Sequence, residues 1–204
     1  GDRLIGAIGT ASIEKYVAAD PNRDLEYGHN EIIRTLAPAH PEDYRIIYQP
    51  FQEAELPAGQ TFDLIFTSPP YFDFEIYTQL PGQSVLDYPK FDNWLVQFLF
   101  FSLRKAWGVL DEGGHMVIHI TDTRGSQCCE PMNLFIQSRL PGSIYCGVLA
   151  SMGRADKPRP MWVWRKSSTL TDAEKARKPE AESLAKKYFT NIWRHVDTAL
   201  GPYE

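Results

Sequence analysis

The sequence has 204 residues, 43% of them hydrophobic and 13% aromatic, enough for a domain with a proper buried core. Twenty-six acidic residues against 21 Lys and Arg leave a formal charge of -5, which excludes a chain-wide basic footprint for nucleic acid and confines any such binding to a local patch. No apolar run approaches the roughly 20 residues of a membrane span, and nothing resembles a signal peptide.

In chain order, residues 2–9 predict a short amphipathic helix with Leu4, Ile5 and Ile8 apolar. "KYVAAD", 15–20, predicts a short strand ending in a carboxylate. A helix is expected over 28–37, with Ile32, Ile33 and Leu36 on one face, and a strand over 44–49. "FDLIFTS", 62–68, is a further strand, followed by a long polar loop over 69–90. The segment 91–110 is the longest helix and largely apolar; a Gly-Gly turn then opens a strand over 113–121. A helix near 131–139 precedes two apolar segments, 143–151 and 159–166, joined by a basic turn and expected to form an antiparallel pair. The tail, 171–199, is charged, Ala-rich and helical, and Pro179 is expected to interrupt or start one of its pieces. Strands alternating with helices predict an α/β sheet covered on both faces, made mixed by the final hairpin. Ligands in such sheets collect at the carboxyl ends of the strands. Asp20, the turn over 50–55 and "TSPPY" stand at three such ends. Three cysteines, Cys128, Cys129 and Cys146, are an odd number with two adjacent; they predict a reduced, intracellular protein, and no ligand spacing supports a metal site.

The segment Thr67-Ser68-Pro69-Pro70-Tyr71 carries the most chemistry. Pro69 and Pro70 have no N–H and hold φ near −65°, leaving their carbonyls as fixed acceptors. Ser68 adds a hydroxyl, and Tyr71 a flat face with a polar tip. Together they suit a planar group bearing an NH2, stacked on the ring with its hydrogens aimed at oxygens. Such bonding raises the nucleophilic character of the amine, and no strong base is needed. A proline-rich turn closing a strand is the plainer alternative. Asp20 is read either as a ribose ligand or as a turn cap with Pro21. Phe51 either packs in the core or flanks an adenine whose edge meets Gln52 or Glu53. Gly1 opens a helix N-terminus, where backbone N–H groups favour carboxylates.

"TSPPY" resembles the signature of S-adenosylmethionine-dependent amino-methyltransferases, which methylate cytosine N4 or adenine N6. A Ser at the first motif position is commoner in the cytosine members. "GDRLIGAIG", "YVAADPN", "IIYQPFQEAEL" and "LDEGGHMVIHITD" resemble, in order, the family's cofactor loop, second, third and fifth strands. The resemblance implies a Rossmann-like class I methyltransferase sheet over residues 1–168, with a helical extension over 169–204. It implies Ser68, Pro69, Pro70 and Tyr71 as catalytic residues. It implies Gly1, Asp20, Phe51, Gln52 and Thr67 as contacts for S-adenosyl-L-methionine. The family's first strand has no counterpart here, so a segment or partner chain outside this sequence is expected to supply it. Phe72 and Tyr77 are expected to touch the substrate, and Arg154 and Lys157, in the basic turn, its phosphates. The target base must be flipped or unpaired. The expected partner is nucleic acid, DNA before RNA, with cytosine N4 before adenine N6; a catalytically silent scaffold domain is the remaining alternative. Trp162 and Trp164 alternate and so share a side, which favours sheet packing over base stacking.

Overall fold

The computed structural model describes residues 1–73, 82–152 and 158–201, the side chains of 151, 152 and 158 apart. The chain divides into two compact units, Gly1–Ala58 and Gly59–Glu204. The expected boundary at 168/169 is therefore not where the compact units part; the C-terminal helices belong to the second unit.

The first unit holds a two-stranded parallel sheet, β1 (Tyr16–Ala19) and β2 (Tyr44–Ile47), in register Tyr16↔Tyr44 to Ala19↔Ile47. Helix α1 (Asp2–Ile8) packs against α2 (Glu26–Leu36), burying Leu4, Ala7 and Ile33. α2 has Ile33 and His29 four residues apart on its buried face, the spacing that stacks side chains one turn above another.

In the second unit four strands run in the order β3-β4-β6-β5. β3 (Phe62–Thr67) is parallel to β4 (Leu110–His119). β5 (Ser143–Met152) and β6 (Pro158–Lys166) form the expected antiparallel pair, and β6 is also antiparallel to β4. The α/β class and the closing hairpin are thus borne out, but the described strands form two sheets instead of one. β4 also starts earlier than expected. The Gly-Gly pair lies inside the strand, with Gly113 at φ +81° where the register to β3 slips. Gly114 is pinned there, since a Cβ on it would fall 2.8 Å from Leu110 Cδ1 and 2.9 Å from the Asp111 carbonyl.

The long apolar helix is three pieces in sequence: α4 (Phe91–Asn93), a π-helical stretch Trp94–Phe100, and α5 (Phe101–Gly108). It follows the single turn α3 (Ser84–Asp87). Trp94, Leu95, Val96, Phe100 and Trp107 are fully buried, and Phe100 stacks on Phe135 of α6 (Cys129–Arg139) with centroids 4.3 Å apart. The tail forms α7 (Asp172–Tyr188) and α8 (Thr190–Ala199). α7 packs on α6 and buries Ala181 and Ala185, while α8 buries Ile192, Trp193 and Val196. Arg139 of α6 ties the tail down by ion pairs to Asp197 and Glu182. Pro179 neither starts nor interrupts α7 but sits within it. The helix continues past the lost hydrogen bond because a capping box at Thr171 and Glu174 secures its start and the packed alanines secure its second half. No helix among the described residues is long and apolar enough to cross a membrane.

Candidate active site

In the second unit, Thr67 closes β3 opposite Ile118 of β4. The backbone then leaves the sheet through Ser68 and Pro70, both half-buried, and Pro69, buried. The prolines explain the exit: with no N–H to give, they cannot continue the ladder. Tyr71 was expected on display at a mouth, but it is only 6% exposed. Phe72, expected to touch substrate, is 9% exposed and packs edge-on against Phe91 and Trp94, with centroids 5.4 and 5.7 Å away. Trp94 is itself held by its Nε1–H, which donates to Ser84 Oγ at 3.1 Å. Both rings after the prolines are covered in this structure, as the burial of large aromatic surface favours.

The loop after β4 meets the same segment. A Cβ on Gly125 would lie 3.3 Å from Asp73 Oδ2, so the two strand exits are in contact. Thr123 and Ser126 close that loop through backbone bonds and a 2.8 Å hydroxyl contact.

In the first unit, Asp20 follows β1, and its N–H donates to the Ile47 carbonyl at 3.0 Å. Asp20 Oδ1 accepts the Asn22 N–H at 2.9 Å, so the turn-capping role is realised and occupies one carboxylate oxygen. Its charge is felt around it. Burial pushes the phenols of Tyr16 and Tyr48 up, and Asp20 adds to both shifts. Burial pushes His29 down, with Asp20 acting against it. His29 Nδ1 lies 3.1 Å from the Tyr48 hydroxyl. Phe51 and Gln52, half-buried, lie in a turn in which the Glu53 and Ala54 N–H groups both donate to the Pro50 carbonyl at 2.9 Å. Gly1 caps α1, a helix of only seven residues. Tyr77, Arg154 and Lys157 lie outside the described residues.

One cluster escaped the sequence reasoning. Asp122, Cys128 and Cys129 bring their donor atoms within 4.8 Å of one another. The Cys129 N–H donates to Asp122 Oδ1 at 2.8 Å, capping α6. A hydrogen bond with Cys128, together with burial, pushes the Cys129 thiol far up, so it stays protonated. The adjacent cysteines were visible in the sequence; the signal that Asp122 joins them is its place six residues ahead, one short loop before the helix.

No protein-family model matches the chain, and no curated protein does. Among solved structures, the chain is similar to the O-methyltransferase from the trans-AT polyketide synthase multienzyme of Brevibacillus brevis, solved with S-adenosyl-L-homocysteine. Identity is 11%, TM-score 0.47, covering 100% of this chain and 84% of that one. A methyltransferase from Pyrococcus furiosus matches at 17% identity and TM-score 0.44, covering 81% and 70%. An rRNA methylase from Streptococcus thermophilus matches at 9% identity and TM-score 0.43, covering 82% and 96%.

Proposed function

We propose that this chain transfers a methyl group from S-adenosylmethionine to the exocyclic amine of a nucleobase, cytosine N4 in DNA. The observation that carries the proposal is the Thr67–Tyr71 segment at the carboxyl end of a parallel strand, where α/β sheets place their ligands. The residues fit the cofactor on one point of structure: Asp20 stands at a strand's carboxyl end, with one carboxylate oxygen committed to Asn22 and the other able to accept a ribose hydroxyl. Phe51, with Gln52 beside it, would flank the adenine; Thr67 and the Gly1 end of α1 complete the proposed cofactor contacts. When bound, the cofactor supplies an electrophilic sulfonium methyl.

The chain's own residues would then orient the amine. Ser68 Oγ and the carbonyls around Pro69 and Pro70 accept its hydrogens, which raises the nitrogen's nucleophilicity. The prolines fix those acceptors in place before the base arrives, so little ordering remains to be done. Alignment of this kind can contribute several kcal/mol, up to about 7–11 in ideal cases. The base would stack on Tyr71, which requires that its covered ring open on binding. Tyr77, Phe72, Arg154 and Lys157 are the proposed substrate contacts. A first strand from a partner chain or another segment remains part of the proposal.

The deciding assay incubates the protein with labelled cofactor and separate single-stranded DNA, duplex DNA and RNA, then identifies methylated nucleosides by mass spectrometry. N4-methylcytosine in DNA is expected. N6-methyladenine alone would overturn the choice of base, and label only in RNA the choice of polymer. Asp20→Ala should weaken cofactor binding measured by calorimetry; unchanged affinity would remove its ribose role. The burial of Tyr71 and Phe72 favours a second reading, a catalytically silent scaffold, and bound cofactor with no methylated product would select it.

A further inference from the structure

A cleft of about 550 Å³ opens in the second unit between helix α6, the loop after β4 and the β5–β6 hairpin. Its construction follows from two periodicities. On α6, Cys129, Asn133 and Gln137 recur every four residues, with Glu130 and Leu134 alongside, and so form one wall. On β6, Trp162 and Trp164 are two apart and share a face, and the register sets Tyr145 of β5 opposite Trp164. Thr121 and Asp122 complete the lining.

The indole N–H groups of the aromatic wall are already used. Trp162 Nε1–H donates to the Ile120 carbonyl at 3.0 Å, and Trp164 Nε1–H to Asn133 Oδ1 at 3.2 Å. Asn133 Nδ2 in turn donates to the Cys129 carbonyl at 2.9 Å. These bonds fix the indole planes, and the Tyr145 ring lies 5.0 Å from that of Trp164. The ring surface left to a ligand is that of Trp162, half-buried, and Tyr145, 37% exposed; Trp164, 2% exposed, offers almost none. Among the described residues of the lining, the charged side chains are Asp122 and Glu130, both acidic. Fixed aromatic faces with carboxylates at the rim repel a phosphate and attract a cation.

We infer that the cleft between α6 and the β5–β6 hairpin binds a small organic cation of the alkyl- or quaternary-ammonium class. Its volume lies within the range of small-molecule sites. The inference stands on this cleft alone and is independent of the methyl-transfer reading.

The test is a calorimetric titration of the whole protein with choline and with 3,3-dimethyl-1-butanol, its uncharged carbon isostere. Saturable choline binding is expected, with the isostere roughly tenfold weaker or more, the measure of a cation–π and carboxylate contribution. Trp162→Leu should weaken choline at least several-fold, while Trp162→Phe retains most of the affinity. Both variants lose the indole hydrogen bond, so their difference isolates the ring. Glu130→Gln changes an exposed side chain and should cost a few-fold without altering the melting temperature. If both tryptophan variants unfold, Glu130→Gln and the isostere carry the test. Equal binding of choline and its isostere, no saturable binding of choline, or full affinity in a folded Trp162→Leu variant would each overturn the inference.

Discussion

β3 and β4 are parallel neighbours with similar apolar sequences and very different surroundings. In β4, Met116 and Ile118 are completely buried, whereas in β3 Leu64 is 55% and Phe66 42% exposed. The register explains it: Leu64 and Phe66 share a face with His115 and Val117 of β4, exposed and half-buried, whereas Met116 and Ile118 lie on the other face, beside the half-buried Ile65 and Thr67 of β3. Apolar composition marks a strand as suited to a core, but burial comes only with neighbours that cover it. The contrast reverses one step further along: β3 is open at its middle, yet its exit at Tyr71 and Phe72 is covered.

The sharpest way to break this comparison is to put one charge on each strand. Ile118→Asp places an unpaired carboxylate in a dry core and should abolish cooperative unfolding of the second unit. Leu64→Asp should leave it folded by circular dichroism and thermal melting. Next, Tyr71→Ala should destabilise by about 3 kcal/mol or more, the range for deleting a buried aromatic ring. Tyr71→Phe should restore most of that; a loss of turnover in the folded Phe variant would show that the hydroxyl acts on the base. Third, Met116→Ala should cost about 2–5 kcal/mol in denaturant titrations, and Leu64→Ala less than about 1 kcal/mol. Equal costs would mean that β3 is covered in solution.

The smallest effect lies in the tail. Thr171 caps α7, and Thr171→Ala should cost about 1 kcal/mol. The Glu174 carboxyl is held below its usual range by hydrogen bonds from the Thr171 backbone and hydroxyl. Because its folded value is depressed, the stability it contributes is present above the unfolded carboxylate pKa, about 4.3. It is lost as pH falls through the lower folded value. Melting curves from pH 7 to 3 should show this slope in the native protein and a shallower one in Glu174→Gln.

Where periodicity and turn chemistry agreed, the elements were legible: β3, the closing hairpin, α6 and the helical span of the tail lie within a few residues of their expected positions, but the tail breaks at Phe189 and not at Pro179. The misses have local causes. β4 absorbed Gly113 and Gly114, which read as a turn, because a bulge uses the same positive φ that a turn needs. Pro179 read as a break because the sequence does not display the packing of Ala181 and Ala185 that holds α7 together. At the site, strand ends and turn residues were readable, but the fate of Tyr71 and Phe72 was not. Phe72 packs against Phe91 and Trp94, some twenty residues on, beyond the reach of a local pattern.

The π-helical stretch Trp94–Phe100 bears on how this chain tolerates changes of length. At its start Trp94 meets Phe72; at its end Phe100 stacks on Phe135 and lies edge-on to Trp193. A wide turn holds one residue more than an α-turn, and each residue of an α-helix rotates the face by about 100°. Deleting one residue here would let the stretch tighten into an α-helix with the two aromatic contacts still facing the same sides. The same deletion in β4 would turn every inward residue outward. Single-residue losses should therefore accumulate among descendants of this sequence at the wide turn and be purged from the strand.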